Sequence, residues 1–368
     1  MTAELKRTPL YEAHKALGAK LVPFVGFEMP VQYAGILAEH KAVRTAVGIF
    51  DVSHMGEIVF RGARAPEAVQ RLVTNAAAKL PDGGALYTPM CYQDGGIVDD
   101  CIVYRRAADD YLVIVNASNI DKDFAWMFEN TKSICAPVNE SDNWALIAVQ
   151  GPKAAALLDR IADKPFTAGV GSFHLTWTTI AGAKLTAART GYTGEDGFEL
   201  MCPPAQATPV WNCLLEAGQA DGIQPCGLGS RDTLRLEARL CLYGNDIDQT
   251  TTPLEAGIGW TVKWDAEFIG KPALAAQKAA GLKRKLAGFV ARGRGIPRHG
   301  YPILDKEGGT ALGTCNSGGP APFLGTNIGL GYVPSAFAEP GKTLVVDCRG
   351  KTVPVEVVKG PFYKRSQG

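Results

Sequence analysis

The hydrophobic positions of this chain change period partway along it. Up to about residue 280, segments with apolar residues every three to four positions alternate with short runs that are apolar throughout or at every second position. The first spacing predicts helices over 35–47, 65–73, 121–129, 152–162, 209–217, 230–242 and 271–280. Between them, runs bounded by Gly, Asp and Pro predict strands over 57–60, 85–92, 97–104, 111–115, 144–150 and 198–201. After Lys283 the helical spacing disappears, and glycine-broken runs predict strands over 286–290, 310–314, 328–333, 343–346 and 353–358. The pattern is that of an α+β region, residues 1–280, followed by a small β-barrel or sandwich, residues 281–368, with the small and basic stretch 279–285 as their boundary.

Composition narrows the function classes mostly by exclusion. The 368 residues are 46% hydrophobic, enough for a large core, and too many for one core, which stops growing near about 250–300 residues. Lys and Arg (38) balance Asp and Glu (37) to a net charge of +1, so no long-range field gathers a polyphosphate and nucleic acid is not an expected partner. No apolar run approaches the roughly 18 residues of a membrane span, so no membrane partner is expected either. Residues 1–9 contain no apolar signal core and no Arg-rich amphipathic stretch, so neither secretion nor organelle import is signalled; the expected place is a bacterial cytoplasm, or a mitochondrial matrix if this is a processed mature chain. Nine cysteines, an odd number without a C-x-x-C pair, read as reduced thiols, several of them acting as small hydrophobes.

Generic site motifs are missing. The five histidines stand too far apart for metal ligation at i, i+4, and no H-E-x-x-H occurs, so no metal is expected. Gly341-Lys342-Thr343 has Ala336 where a phosphate loop needs glycine, and Gly293-Arg294-Gly295 has Arg298 where a dinucleotide fingerprint needs its third. No G-x-S-x-G elbow appears.

Three segments carry more chemistry. Asp99 and Asp100 interrupt an apolar strand after the turn Asp94-Gly95-Gly96, and because side chains alternate, Asp99 shares a face with Ile97, Cys101 and Val103, and Asp100 with Val98, Ile102 and Tyr104. At least one carboxylate therefore faces buried surface, either as an acid/base or orienting group or at a bulge where it accepts backbone N–H bonds. Glu199 sits between Phe198 and Leu200 after three glycines at intervals of three (Gly191, Gly194, Gly197); it can bind an amidine-like edge through two parallel hydrogen bonds or face solvent. Arg231, Arg235 and Arg239 recur at four-residue spacing behind Ser230, a good N-cap, and form either a carboxylate-gripping row or a solvated face.

In order and spacing these segments resemble the glycine cleavage system T-protein family, tetrahydrofolate-dependent aminomethyltransferases. The resemblance runs through Gly26-Phe27-Glu28-Met29-Pro30, Phe50-Asp51-Val52-Ser53-His54-Met55-Gly56, Gly95-Gly96-Ile97-Val98-Asp99-Asp100 and Val149-Gln150-Gly151-Pro152. It continues through Arg189-Thr190-Gly191-Tyr192-Thr193-Gly194-Glu195-Asp196-Gly197, Arg231-Asp232-Thr233-Leu234-Arg235-Leu236-Glu237-Ala238 and Leu242-Tyr243-Gly244-Asn245-Asp246, covering nearly the whole chain. It implies a multi-lobed cloverleaf of two α+β folate-binding lobes and a C-terminal β-barrel lobe, and transfer of the aminomethyl carbon from a lipoylated H protein to tetrahydrofolate, giving 5,10-methylenetetrahydrofolate and ammonia.

By motif match the resemblance assigns Asp100 the catalytic position, and Glu199 and Arg231 folate contacts; Met55, Tyr87, Asn116, Tyr192 and Trp260 fall in cavity-lining segments. The family usually carries glycine where this chain has Arg239, so Arg239 inherits no role, and Tyr363 lies in a variable tail. Two other readings share the fold: a folate-dependent demethylase, needing no H protein, and a non-catalytic iron–sulfur assembly factor, whose K-G-C-[YF]-x-G-Q-E signature is absent. Lys283, Arg284, Lys285, Arg292, Arg294 and Arg298 cluster before and within the last lobe, as a docking surface for an acidic lipoyl domain or as solvated charge.

Overall fold

A strand with neighbours on both edges and cover on both faces is apolar throughout, and Ala145–Gln150 has that character, with all six residues buried. In the computed structural model, which describes residues 4–365, this strand is central to a six-stranded sheet. The order is Leu175–Ile180, Ala183–Ala188, Gly197–Cys202, Ala145–Gln150, Gly48–Asp51 and Gln224–Pro225. Neighbours are antiparallel except the last pair, which is parallel. The helices Ala154–Ile161 and Ala207–Gly218 bury their apolar stripes in the same core, where Leu157, Leu158, Val149, Phe198 and Trp211 are completely enclosed. Each such side chain stabilises the fold by about 1.5–3 kcal/mol relative to exposure. The first three residues, where the leader was sought, and the last three of the 281–368 region lie outside the described residues.

The chain forms two compact units. One comprises the residues up to Val69, Ala77–Leu86 and Cys101–Asp232; the other comprises Gln70–Ala76, Tyr87–Asp100 and the chain from Thr233. A five-stranded sheet is ordered Ala85–Cys91, Ile97–Ala107, Asp110–Val115, Gly56–Arg61 and Val138–Asn139. Gly56 is required by packing: a Cβ there would lie 2.7 Å from both Val115 and Ile120, the latter opening the helix Ile120–Thr131. Against Asp110–Val115 the register of the strand Ile97–Ala107 shifts between Arg105 and Ala107.

Six strands close a barrel in the order Arg284–Ala291, Thr326–Pro334, Ala311–Ala321, Pro302–Leu304, Thr343–Asp347 and Thr352–Val358, with Gly288 paired to Val358 to complete the ring. Val353, Val355 and Val357 point inward beside Phe289, Ile303 and Val346, while Pro354 is exposed, the alternation that a closed sheet needs. The protein is thus an α+β structure ending in a closed barrel.

Two expectations need correction, and a hairpin lies outside them. The strand expected over 310–314 runs on to Ala321 through Gly318, Gly319 and Pro320, because pairing with Thr326–Pro334 overrides their weak strand propensity. The helix expected over 230–242 is Leu228–Glu237, so Ser230 lies inside its first turn and is not its N-cap. The hairpin Lys20–Phe24 and Phe27–Gln32 has no counterpart among the sequence expectations. Its turn places Val25 at φ 49° and Gly26 at φ 80°, and a β-branched residue in that region carries no turn signal.

Candidate functional site

The glycine-spaced loop between Thr190 and Gly197 is built around Gln150. Its amide nitrogen donates to the Thr190 carbonyl (3.1 Å) and its amide oxygen accepts from Thr193 Oγ1 (2.8 Å). A Cβ at Gly191 would lie 2.0 Å from Gln150 Oε1, so the loop passes over the amide only because residue 191 is glycine. Arg44, buried, donates to the Thr193 carbonyl (2.7 Å) and to Glu195 (3.0 Å), and Arg189 grips Asp196 with two bonds (2.6 and 2.9 Å). The loop is therefore fixed from three sides.

Glu199 stands in the strand Gly197–Cys202 with fully buried neighbours and is itself half-buried. Its Oε2 accepts a 2.5 Å hydrogen bond from Thr190 Oγ1, which lies 3.0 Å from the Tyr104 hydroxyl. Burial first, and then the charge of Glu199, pushes the ionisation of Tyr104 well above its ordinary range, so Tyr104 is a neutral partner. The carboxylate is aimed by this chain rather than left on a solvated face.

Arg231 is half-buried in the first turn of its helix, with its guanidinium 4.8 Å from the centre of the Tyr192 ring. Among the described residues it makes no side-chain hydrogen bond or ion pair. Burial lowers its proton affinity, and the charge of Glu199 acts in the opposite sense. At the start of the same helix, Glu39 accepts from the N–H groups of Tyr33 (2.6 Å), Gly35 (3.1 Å) and Gly227 (2.9 Å) and lies 3.2 Å from Ser230 Oγ.

The expected arginine row breaks up. Arg235 is buried in an ion pair with Asp246 (2.7 Å) and bonds Ser317 (2.9 Å). Arg239 lies beyond the helix end at φ 55° and donates to the carbonyls of Leu286, Gly360 and Val358. That left-handed conformation explains why glycine suits the position.

His54, immediately before Met55, is buried with its ring edge-on to Phe24 and Phe27, and its Nδ1 has no hydrogen-bond partner among the described residues. Burial, and then the charge of Arg231, lowers its pKa to about 4, against an opposing pull from Asp51. Met55 and Asn116 are both half-buried at one end of a strand pair, flanking the Gly56–Val115 register position.

In the second unit, Asp100 is half-buried and accepts a 2.9 Å hydrogen bond from the Tyr87 hydroxyl, while Asp99 is completely buried. Tyr87 is anchored through its carbonyl to Asn75 (3.1 Å). Its ring centre lies 6.0 Å from that of Trp260, which is 60% exposed and so forms an open wall. Of the basic candidates, Arg284 is engaged with Glu255 (3.2 Å), the Thr250 carbonyl (2.7 Å) and the Tyr332 ring, and Arg292 with Glu356 (2.8 Å). Lys283, Lys285, Arg294 and Arg298 are exposed. A cavity of about 260 Å³ lined by Asp248, Lys283, Arg284, Thr314, Tyr332 and Pro334 contains none of the candidate ligand-binding residues.

The structure thus assembles Glu199 with Thr190, Arg231 with Tyr192, Met55 beside Asn116, and Asp100 with Tyr87 and Trp260. Sequence reasoning missed Gln150, Arg44, Glu39 and His54. Gln150 had a signal, as the polar end of an otherwise apolar strand; Glu39 had none, since a glutamate in a helix reads as surface. Among the described residues no cluster of three or more His, Cys, Asp or Glu is placed to hold a metal, and no helix is long and apolar enough to cross a membrane.

Comparison with known proteins covers nearly the whole chain. Residues 10–266 match the GCVT N-terminal domain and residues 284–364 the glycine cleavage T-protein C-terminal barrel domain. The aminomethyltransferase of Halothermothrix orenii is 52% identical over 359 residues, spanning 97% of this chain and 100% of its own. That of Bacillus subtilis is 47% identical over 363 residues, spanning 98% and 100%. The crystal structure of the glycine cleavage system aminomethyltransferase T from Bartonella henselae superposes with a TM-score of 0.91 at 34% identity, covering 98% of each chain.

Proposed function

This chain belongs to the glycine cleavage T-protein family, and from that membership we propose how its own residues carry out the family's reaction. It is an aminomethyltransferase of glycine cleavage. The demethylase and assembly-factor readings give way to relatives of that one activity, matched at about half identity over nearly the full length.

The substrates we infer are tetrahydrofolate, as one-carbon acceptor, and the aminomethyl group on the lipoyl arm of an H protein. Chemically, the carbon passes as an iminium-like centre: a neutral folate nitrogen attacks and ammonia leaves, giving 5,10-methylenetetrahydrofolate and the dihydrolipoyl arm. Positive charge moves through the site, so a fixed carboxylate lowers the barrier by orienting the amine and stabilising that charge. Asp100 suits this role, because the Tyr87 hydroxyl fixes one carboxylate oxygen. Glu199, aimed by Thr190, offers acceptors to the pterin N3–H and 2-amino edge. Arg231 supplies donors to a carbonyl or carboxylate oxygen, with Tyr192 holding the guanidinium plane. Tyr87, Trp260, Met55 and Asn116 serve as walls and contacts.

The observation that carries this reading is Arg231, a half-buried arginine that makes no hydrogen bond or ion pair with a carboxylate among the described residues. Such a group is costly to keep unless a ligand completes it. The test is a single-turnover assay with lipoylated H protein, aminomethylated beforehand. Ammonia release that depends on tetrahydrofolate is expected; release at an equal rate without it overturns the proposal.

A further inference from the structure

We propose that Glu39 is the positioning residue for Arg231, fastening the first turn of the helix Leu228–Glu237 so that the guanidinium is held against Tyr192. The inference rests on the reading of Arg231 as a ligand-holding residue.

The carboxylate of Glu39 is completely buried and touches two segments 188 or more residues apart in sequence. Oε1 accepts from the N–H groups of Tyr33 and Gly35, in the turn before its own helix Ile36–Thr45. Oε2 accepts from the Gly227 N–H and faces the Ser230 hydroxyl, which also lies 3.0 Å from the Gly227 carbonyl. These are the residues that set the backbone of Arg231: its N–H donates to the Gly227 carbonyl at 3.1 Å, and Ser230 is its neighbour. The first N–H groups of a helix lack partners within it, and an anion at that end also meets the positive end of the helix dipole.

The fit leaves little slack. A Cβ on Gly227 would lie 2.4 Å from the Val31 backbone, and one on Gly229 would lie 2.6 Å from Ile36. The turn is pressed against the segment that carries Glu39, with glycines admitting the approach. Arg231 depends on this anchorage more than most arginines do. Among the described residues no carboxylate or carbonyl locates its guanidinium, so backbone placement and the Tyr192 ring do so together. A small rotation of the turn is amplified along a four-bond side chain, and misplacement near 1 Å is enough to weaken a contact with substrate.

The test uses the full chain. Glu39→Gln keeps the shape but presents an amide nitrogen to two of the four donor groups. Its unfolding transition is measured first, then the Arg231 Nε–H resonance, assigned by its absence in Arg231→Lys, and then the steady-state constants for tetrahydrofolate with aminomethylated H protein. The resonance should move as the ring current of Tyr192 changes, and the tetrahydrofolate KM should rise on the order of tenfold while saturating kcat stays within about twofold. In an Arg231→Lys background, Glu39→Gln should add little to KM.

An unmoved Arg231 resonance, or the same rise in KM in both backgrounds, overturns the proposal. Should Glu39→Gln not fold, Ser230→Ala, which removes one contact of the same carboxylate, must move the resonance in the same direction; no movement again overturns it. If Arg231→Lys leaves tetrahydrofolate affinity unchanged, the ligand-holding reading fails, whereas a moved resonance in Glu39→Gln still upholds the positioning role.

Discussion

Two carboxylates adjacent in the chain meet opposite surroundings, Asp99 enclosed and Asp100 half-open with Tyr87 on one oxygen. In the mechanism we propose the reaction uses the charge at Asp100, so Asp100→Asn should keep tetrahydrofolate affinity by calorimetry yet lose on the order of 10²-fold in kcat. Wild-type kcat in that variant would remove Asp100 from the chemistry, and a comparable loss in Asp99→Asn alone would move the role to its neighbour. His54 makes a prediction about acid stability. Its folded pKa near 4 lies below the ordinary histidine value of 6.5, so stability from the neutral ring is complete above pH 6.5. As pH falls from there towards 4, the unfolded chain takes up a proton that the folded chain refuses, and up to about 3 kcal/mol is lost. His54→Gln should therefore flatten the fall of unfolding free energy between pH 6.5 and 4, measured by denaturant titration. Parallel slopes for the two proteins would show that another group governs that limb.

Elements bring these side chains to their places through packing between distant segments. The 190–197 loop is legible in the sequence as a ligand-approaching or tight-turning segment, since three glycines at intervals of three require it. What it wraps around is not legible, because Gln150 lies 40 residues away and lends its amide to both ends of the turn. Gly191→Ala should drive a methyl group into that amide, destabilise the protein by about 1–3 kcal/mol and weaken tetrahydrofolate binding through Tyr192. Thermal unfolding and calorimetry check this; a Gly191→Ala variant that melts and binds as wild type would mean the loop has room that this geometry denies. The helix bearing Arg231 shows how even spacing misleads. Arg231, Arg235 and Arg239 share a period, yet one faces Tyr192, one is locked to Asp246, and one lies past the helix end in a left-handed turn.

For the molecule as a whole, the balanced charge makes any steering of a protein partner a local matter. Arg284 and Arg292 already pair with Glu255 and Glu356, which leaves Lys283, Lys285, Arg294 and Arg298 as the exposed candidates for an acidic lipoyl domain. Reversing these four charges should lower kcat/KM for the loaded H protein at low salt, with kcat at saturation and tetrahydrofolate affinity nearly unchanged, since rim charges act on encounter. The difference from wild type should shrink as salt rises, because screening over roughly 10 Å at 0.1 M removes the steering. Superimposable rates across the salt series would place docking elsewhere.

Periodicity alone carried the element content of most of the chain and the change to an all-β ending, because helix and strand bury their apolar residues at different intervals. Asp99, Asp100 and Glu199 were visible as charges interrupting apolar strands, and Arg231 only as one of an evenly spaced arginine row, with a solvated face as the alternative. Burial and pairing were not. Nothing local distinguishes Glu39, which anchors a helix start 188 residues later, from a surface glutamate, or Arg235 in its buried ion pair from Arg231. A side chain's partners are chosen by which segments the fold packs together, so which oxygen is occupied, which guanidinium is ion-paired and which histidine stays neutral are properties of the folded chain.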